Sequence, residues 1–300
     1  MPLAALPSTV VIRDVGPRDG LQPEAPVAVD DRVRLVEALV RAGVSRIEAV
    51  AFVSPKAVPA MAGAAEVLAA IPRADGLRYS ALVPNLKGAE LALACEVDEL
   101  TVTASLSEAY SQRNVHLSID ESARAIESIC AAAGDVPVDA VLSCSFGSPY
   151  EGDIEPAAVR ALADRLLETG CAAITCADTT GMATPRRIAE VVEAVGTDVG
   201  LHLHETRGTG LVNAYAALEL GITRFDTSVG GLGGSPFAAG AAGNLATEEL
   251  VAVLDDLGVT TGIDVDALVD AAHLAADLVG RPVPSRVALA GPRHRRPQEH

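Results

Sequence analysis

Val199-Gly-Leu-His-Leu-His204 is a short, mostly apolar run that closes on two histidines two residues apart, and Val212–Leu220 behind it has the apolar spacing of a helix. Side chains on a strand alternate between faces, so His202 and His204 point the same way. Two imidazoles on one face at a strand end are a ready pair of ligands for a divalent metal. Two histidines so placed also arise from packing or surface chance, so the rest of the chain has to decide.

The same strand-then-helix unit repeats along the sequence. Strands are predicted at Val10–Asp14, Arg46–Val50, Arg78–Val83, Glu99–Thr103, Val138–Ser143, Ala172–Ala177, Gly200–Leu203 and Arg224–Ser228. Helices are predicted after them at Asp30–Ala42, Met61–Ile71 and Leu86–Ala94, from the capping box Ser118-Ile-Asp-Glu121 to Ala133, at Ala157–Thr169, from Thr184-Pro185 to Val195, at Val212–Leu220 and at Thr247–Leu257. One more, at Asp264–Leu278, is an added C-terminal helix. Eight such units predict a TIM (β/α)8 barrel of the α/β class. The rival, a doubly wound open sheet, expects a glycine-rich turn after its first strand, and Gly16-Pro-Arg-Asp-Gly20 is not G-x-G-x-x-G. No linker divides the chain, so 1–280 is read as one catalytic barrel with the added helix. The Pro- and Arg-rich stretch 281–300, with Arg293-His-Arg-Arg296, is expected to be an irregular, solvated tail.

Composition narrows the function. The chain has 300 residues, 49% hydrophobic, with a formal charge of −17. That acidity argues against nucleic acid and anionic membranes as partners. An anionic substrate would need local positive groups or a metal. Five cysteines without a CxxC suit a reducing cytoplasm. Met1–Val10 does not read as a signal peptide, and no apolar run reaches the roughly 18 residues of a membrane span.

In a TIM barrel the chemistry lies at the C-terminal ends of the strands. Those positions hold Arg18, Asp19 and Gln22; Glu48, Ser54 and Lys56; Ser105, Glu108, Tyr110 and Arg113; Ser143 and Cys144; Asp178 and Thr179; His202, His204 and Glu205. The glycine-rich stretch Gly230-Gly-Leu-Gly-Gly-Ser-Pro-Phe-Ala-Ala-Gly-Ala-Ala-Gly-Asn244 follows the last strand. Asp19, His202, His204 and Asn244 form a mixed N/O set suited to Mg2+ or Mn2+, with Zn2+ or another divalent metal open. Arg18 beside a ligating Asp is placed to neutralise a developing oxyanion, which fits carbon–carbon cleavage or formation next to a carbonyl. Glu48 reads equally as a structural carboxylate paired to Arg46 or Arg18, and Asp178 as the cap of the next turn. Cys144 and Cys176, near strand ends, read as buried structural thiols or as a source of a reactive one.

Val15-Gly-Pro-Arg-Asp-Gly-Leu-Gln22, Ile47-Glu48 with Phe52-Val-Ser-Pro-Lys56, Pro149-Tyr-Glu-Gly152, Asp178-Thr179, His202-Leu-His204 and Gly231-Leu-Gly-Gly with Gly243-Asn244-Leu-Ala-Thr-Glu248 together resemble the hydroxymethylglutaryl-CoA lyase family, over about residues 10–290. The resemblance implies a metal-dependent barrel that cleaves 3-hydroxy-3-methylglutaryl-CoA to acetyl-CoA and acetoacetate, commonly as a homodimer. It implies Mg2+ or Mn2+ on Asp19, His202, His204 and Asn244, with Arg18 stabilising the enolate. Glu48 and Asp178 would support the site, and the loop near Ser235 would close over it. Gln22, Lys56, Arg113 and Arg207 are the expected contacts to an acyl-CoA thioester.

The chain departs from the family pattern near this site. Ser235 stands where the family carries a catalytic loop Cys, and Ser148 replaces a second Cys. A serine hydroxyl does not ionise near neutrality, so Ser235 would relay a proton, with Glu205 and metal-bound water as the other candidates. Glu205 and Arg207 replace the family's Asp and Tyr after His-x-His, and Arg207 is expected to meet an extra carboxylate or a different substrate group. Two rivals stay open: a Claisen or aldol condensing enzyme, and a CoA-thioester-binding barrel with impaired catalysis.

Overall fold

Eight parallel strands close into a barrel in sequence order: β1 (Val11–Asp14), β2 (Arg46–Ala51), β3 (Arg78–Leu82), β4 (Glu99–Ser105), β5 (Val138–Ser143), β6 (Ala173–Ala177), β7 (Gly200–His202) and β8 (Arg224–Thr227). The structure is a computed structural model and describes residues 6–234 and 243–293. The helices are α1 (Val29–Arg41), α2 (Ala64–Ala70), α3 (Leu86–Leu93), α4 (Glu108–Asn114), α5 (Ile119–Ala133), α6 (Pro156–Glu168), α7 (Pro185–Val195), α8 (Gly210–Glu219), α9 (Thr247–Asp256), α10 (Val265–Val279) and α11 (Arg286–Ala290). The TIM-barrel reading and its added C-terminal helix, α10, are both realised. Among the described residues no helix is long and apolar enough to cross a membrane.

Strand register separates two kinds of row. Ala104, Leu142, Cys176, Leu201, Phe225 and Ile12 lie in register from β4 through β8 to β1, and all are buried among the apolar core. The next row runs Ala177, His202, Asp226 and Arg13. Alternation sends this row to the other face, into the barrel. Arg13 demonstrates it: from β1 it reaches Glu99 on β4 (2.8 Å) and Asp139 on β5 (2.7 Å), a path that crosses the lumen.

Three local differences from expectation have physical causes. Helix α2 starts at Ala64, because Pro59–Met61 forms a 3-10 turn and Gly63 (φ 78°) precedes the helix in a left-handed conformation. Glu108–Asn114, expected only as residues beyond a strand end, forms α4, capped by the Ser107 side chain on the Tyr110 N–H. The expected irregularity from residue 281 on gives way to α11. Ser285 caps it on the Ala288 N–H, Glu249 accepts from the Arg286 N–H (2.5 Å), and His273 Nε2 lies 2.9 Å from the Ala288 carbonyl. A proline- and arginine-rich composition does not reveal such partners. Of the basic cluster, His294-Arg-Arg296 lies outside the described residues.

The barrel closes between β8 and β1, and a buried carboxylate pins that seam. Asp14 accepts from the Gly16 N–H (2.8 Å) and from Thr247 Oγ1 (2.6 Å), which itself pairs with Thr227 Oγ1 (2.8 Å). Burial raises its pKa to about 7, against the opposing hydrogen bonds from Thr247, Gly16 and Val229. An unfolded Asp titrates at ~3.9, so the folded state holds the extra proton between there and about 7. The contribution is therefore full below that window and is lost as pH rises through it. The stability of the metal-free protein relative to Asp14→Asn is expected to fall as pH rises from about 4 to about 7 and to level off above. Melting curves of both proteins across that range measure it; parallel curves would contradict the buried, protonated Asp14.

Candidate metal centre and active site

Immediately after β1 the chain winds into a π-helical turn, Gly16–Gly20, of the kind often found at functional sites. Gly16 is required there: a Cβ would lie 2.8 Å from both Asp14 Oδ1 and Val229 Cγ1. Pro17 sets the first turn, and the turn lifts Arg18 and Asp19 above the strand ends. Arg18 is buried; its Nε pairs with Glu48 on β2 and its Nη1 lies 2.6 Å from Asp19 Oδ1. Of the two partners expected for Glu48, the structure selects Arg18. The second carboxylate oxygen of Glu48 is buried without a hydrogen bond among the described residues.

His202 ends β7, and His204 forms an isolated antiparallel bridge with Asn244 beyond the strand. Their Nε2 atoms, those of His202 and His204, face each other at 3.2 Å, with ring planes tilted by 47°. His202 Nδ1 lies 3.4 Å from Asp226 Oδ2, an arrangement that keeps its proton on Nδ1 and its lone pair on Nε2. Asn244 donates from Nδ2 to Asp19 Oδ2 (2.8 Å) and to the Leu232 carbonyl (2.9 Å). Its Oδ1 is left buried with no hydrogen-bond partner among the described residues. Ligand atoms of Asp19, His202 and His204 all lie within 4.8 Å of one another.

These residues fit a divalent cation. Two ring nitrogens at 3.2 Å need a shared proton or cation between them, and the unpaired amide oxygen of Asn244 needs a positive partner. Burial alone would push Asp19 up, but Arg18, His202, Asn244 and His204 outweigh it and hold the carboxylate below its usual range. Burial pulls His202 down, while Asp226 and Asp19 more than offset that and raise it. A metal at Nε2 would therefore compete with a proton.

The other expected residues divide. Asp178, just after β6, caps the following turn by accepting from the Ala183 N–H (2.8 Å), yet its Oδ2 is buried without a partner among the described residues. Burial raises its pKa to about 7. The capping reading thus accounts for one oxygen and leaves the other unpartnered. Glu205 turns to the start of α8 and accepts from the Leu211 N–H (3.0 Å). Arg207 is exposed and donates from Nη1 to the carbonyls of Thr180 (2.8 Å) and Gly181 (2.7 Å), bracing the loop after Asp178. Gln22 is half-buried just after the π-helical turn, and Lys56 is exposed. Arg113 is exposed and stacks 4.3 Å over the Tyr150 ring. Ser235 lies outside the described residues.

Ser148 is buried and donates to Glu151 Oε2 (2.6 Å); its Oγ lies 3.0 Å from Ser107 Oγ, which also donates to Glu151. Two hydroxyls on one carboxylate tie α4 to the loop after β5. Cys144 and Cys176 are fully buried, and burial raises both thiols to about 12, so each is protonated at neutral pH.

Strand ends alone do not reveal the floor of the site: Arg13, Glu99, Asp139 and Asp226. These are charged residues of β1, β4, β5 and β8 that meet inside the barrel, and Asp226 and Arg13 lie in register with His202. Aligning the strands by their alternation exposes them, because a charged residue inside a barrel needs a partner there.

Residues 9–275 match the HMGL-like family. The chain is 45% identical over 293 residues to the 3-hydroxy-3-isohexenylglutaryl-CoA/hydroxy-methylglutaryl-CoA lyase of Pseudomonas aeruginosa, covering 95% of this chain and 98% of that one. It is 40% identical over 296 residues to the mitochondrial hydroxymethylglutaryl-CoA lyase of Homo sapiens, covering 96% and 91%. Among solved structures it superposes with a TM-score of 0.92 on an HMG-CoA lyase from Acinetobacter baumannii in complex with coenzyme A and 3-methylmalate, at 38% identity and covering 99% and 100%.

Gly233 links the glycine-rich loop to this geometry. Its φ is 114°, and a Cβ there would lie 2.5 Å from Asn244 Nδ2. Gly233→Ala is expected to push Asn244 off Asp19 and weaken Mn2+ binding by about 10-fold or more. Isothermal titration with Mn2+ reads this out, and unchanged affinity would mean that Asn244 is held independently of Gly233.

Proposed function

The chain belongs to the HMGL-like family, and from that premise we propose a divalent-metal-dependent carbon–carbon lyase acting on 3-hydroxy-3-methylglutaryl-CoA or a close 3-substituted relative. The products are acetyl-CoA and a 3-oxo acid, which is acetoacetate for the methyl substrate. The observation that carries this reading is the joining of Asp19, His202, His204 and Asn244 in one cluster beside the Arg18–Glu48 pair.

Asp19, His202, His204 and Asn244 would hold Mg2+ or Mn2+. When bound, the cation supplies Lewis-acid polarisation of the substrate's hydroxyl and carbonyl oxygens. Arg18 is held by Glu48 at Nε and by Asp19 at Nη1, so its guanidinium plane is set before substrate arrives. It then stabilises the negative charge that develops on the thioester oxygen as the C2–C3 bond breaks. Asp178 is proposed to take the proton of the 3-hydroxyl on its unpartnered Oδ2, a reading supported by a pKa of about 7, which suits general-base work at neutral pH.

Proton return to the acetyl-CoA enolate is assigned to Ser235, as a hydroxyl relay. Glu205 is the second candidate, since only its Oε1 is taken by the Leu211 N–H and its Oε2 is buried without a hydrogen-bond partner among the described residues. Gln22, Lys56 and Arg113 are proposed contacts for the acyl-CoA, the cations for its phosphates. Arg207 braces the loop after Asp178 through Nη1, and the rest of its exposed guanidinium is proposed to meet an extra carboxylate or a different group of the substrate. The proposal extends to a homodimer in the cytoplasm, which light scattering and fractionation address.

The relative with a 3-hydroxy-3-isohexenylglutaryl-CoA activity motivates testing longer substituents beside methyl. Purified protein with Mg2+ or Mn2+ is expected to release acetyl-CoA from at least one 3-hydroxy-3-substituted glutaryl-CoA, and excess EDTA should abolish the release. Arg18→Gln, with folding checked by circular dichroism, should lower kcat by roughly 10²–10³-fold. Absence of acetyl-CoA from every thioester in the panel would refute the lyase reading. Unchanged turnover in Ser235→Ala would remove Ser235 from the proton relay.

A further inference from the structure

The barrel lumen beneath the metal cluster carries charge where a TIM barrel is usually filled by branched apolar side chains. Arg13 reaches across the lumen and is nine-tenths buried. Its Nε and Nη2 clasp Asp226 Oδ1 and Oδ2, each at 2.8 Å, in a bidentate pair. Nη2 also lies 2.7 Å from Asp139 Oδ2, and Nη1 is 2.8 Å from Glu99 Oε1. Asp139 in turn accepts from Thr175 Oγ1 at 3.0 Å. One guanidinium thus gathers carboxylates from β4, β5 and β8 across the lumen.

Asp226 is shared between two partners, because the Oδ2 that accepts from Arg13 also faces His202 Nδ1 at 3.4 Å. A carboxylate behind a metal-binding imidazole fixes its tautomer and raises the basicity of the other nitrogen. An unrestrained Asp could rotate away from the ring. The bidentate clasp removes that freedom, since both oxygens are engaged by one planar fork.

Resting on the metal reading above, we propose that Arg13 is a positioning residue for the metal centre: it locks Asp226, and Asp226 holds His202 with its Nε2 lone pair aimed at the cation. The line runs Arg13 to Asp226 to His202. Neither Arg13 nor Asp226 touches the substrate or the metal. Lysine cannot reproduce the line, because a single ammonium cannot hold both carboxylate oxygens in one plane.

The test is Mn2+ affinity by isothermal titration on purified, metal-stripped protein, with folding checked by circular dichroism. Arg13→Lys keeps the charge and Asp226→Asn keeps the shape. Each is expected to raise the Kd for Mn2+ by about 10- to 100-fold. Arg13→Met alone leaves buried carboxylates unpaired and is prone not to fold, so it is made together with Asp226→Asn. That double variant should be no weaker for Mn2+ than Asp226→Asn alone, because the line is already broken. Asp139→Asn is the control: it loosens Arg13 on the side away from His202 and should lower Tm while leaving the Kd within about twofold of wild type, the line being intact.

Single variants that bind Mn2+ as wild type does would overturn the proposal. So would an Asp139→Asn loss as large as that of Arg13→Lys, which would mean that the bulk charge of the lumen acts, not the line through Asp226. If wild-type protein and His202→Ala both fail to take up Mn2+, the metal reading itself fails, and the two failures are thereby distinguished.

Discussion

A buried ion cluster around Arg13 lies beneath the mouth of this barrel and meets it at His202. A guanidinium withdrawn from water is costly unless it is paired and hydrogen-bonded, and here three carboxylates from three other strands answer it. Burial would lower its pKa, but Asp226 and Asp139 reverse that and raise it, so it is charged throughout the accessible pH range. Asp226 is held correspondingly low, its own burial outweighed by Arg13 and His202. The cluster costs desolvation and returns geometry: it fixes how β1, β4, β5 and β8 stand relative to one another. An apolar lumen would pack as well but would give His202 no carboxylate to lean on.

Above that floor the site is assembled from distant parts of the chain. The π-helical turn brings Arg18 and Asp19 from β1, the His-x-His run brings two imidazoles from β7, and the glycine-rich stretch after β8 returns Asn244. β8 pairs with β1, and that closure puts residues 225 apart within 2.8 Å, Asn244 against Asp19. Glycine is indispensable at two of these points for different reasons. Gly16 leaves room for Asp14 and Val229, and Gly233 takes a backbone conformation that also leaves room for Asn244.

The departures from the family pattern sort by what their side chains touch. Ser148 joins Ser107 on Glu151, a network that a thiol would make more weakly. Glu205 and Arg207 have been absorbed into local structure, one capping α8 and the other bracing the loop at Thr180 and Gly181. Buried, protonated Cys144 and Cys176 do not replace the loop thiol, because burial stabilises the neutral form.

The sequence by itself determined the strand–helix alternation, the barrel, the added helix and the residues at strand ends, because periodicity and capping are local and short-range. It also pointed to Asp19, His202, His204 and Asn244, which the structure brings together, since His-x-His, the Pro-Arg-Asp-Gly turn and Gly-Asn are contiguous motifs. Tertiary structure alone decided three things. It chose Arg18 over Arg46 as the partner of Glu48, a matter of which side of the barrel a side chain faces. It turned Glu205 and Arg207 toward backbone groups, since an unpaired N–H or carbonyl at a loop end competes for any nearby charge. And it gathered Arg13, Glu99, Asp139 and Asp226 in one lumen, because strands far apart in sequence meet only when the barrel closes.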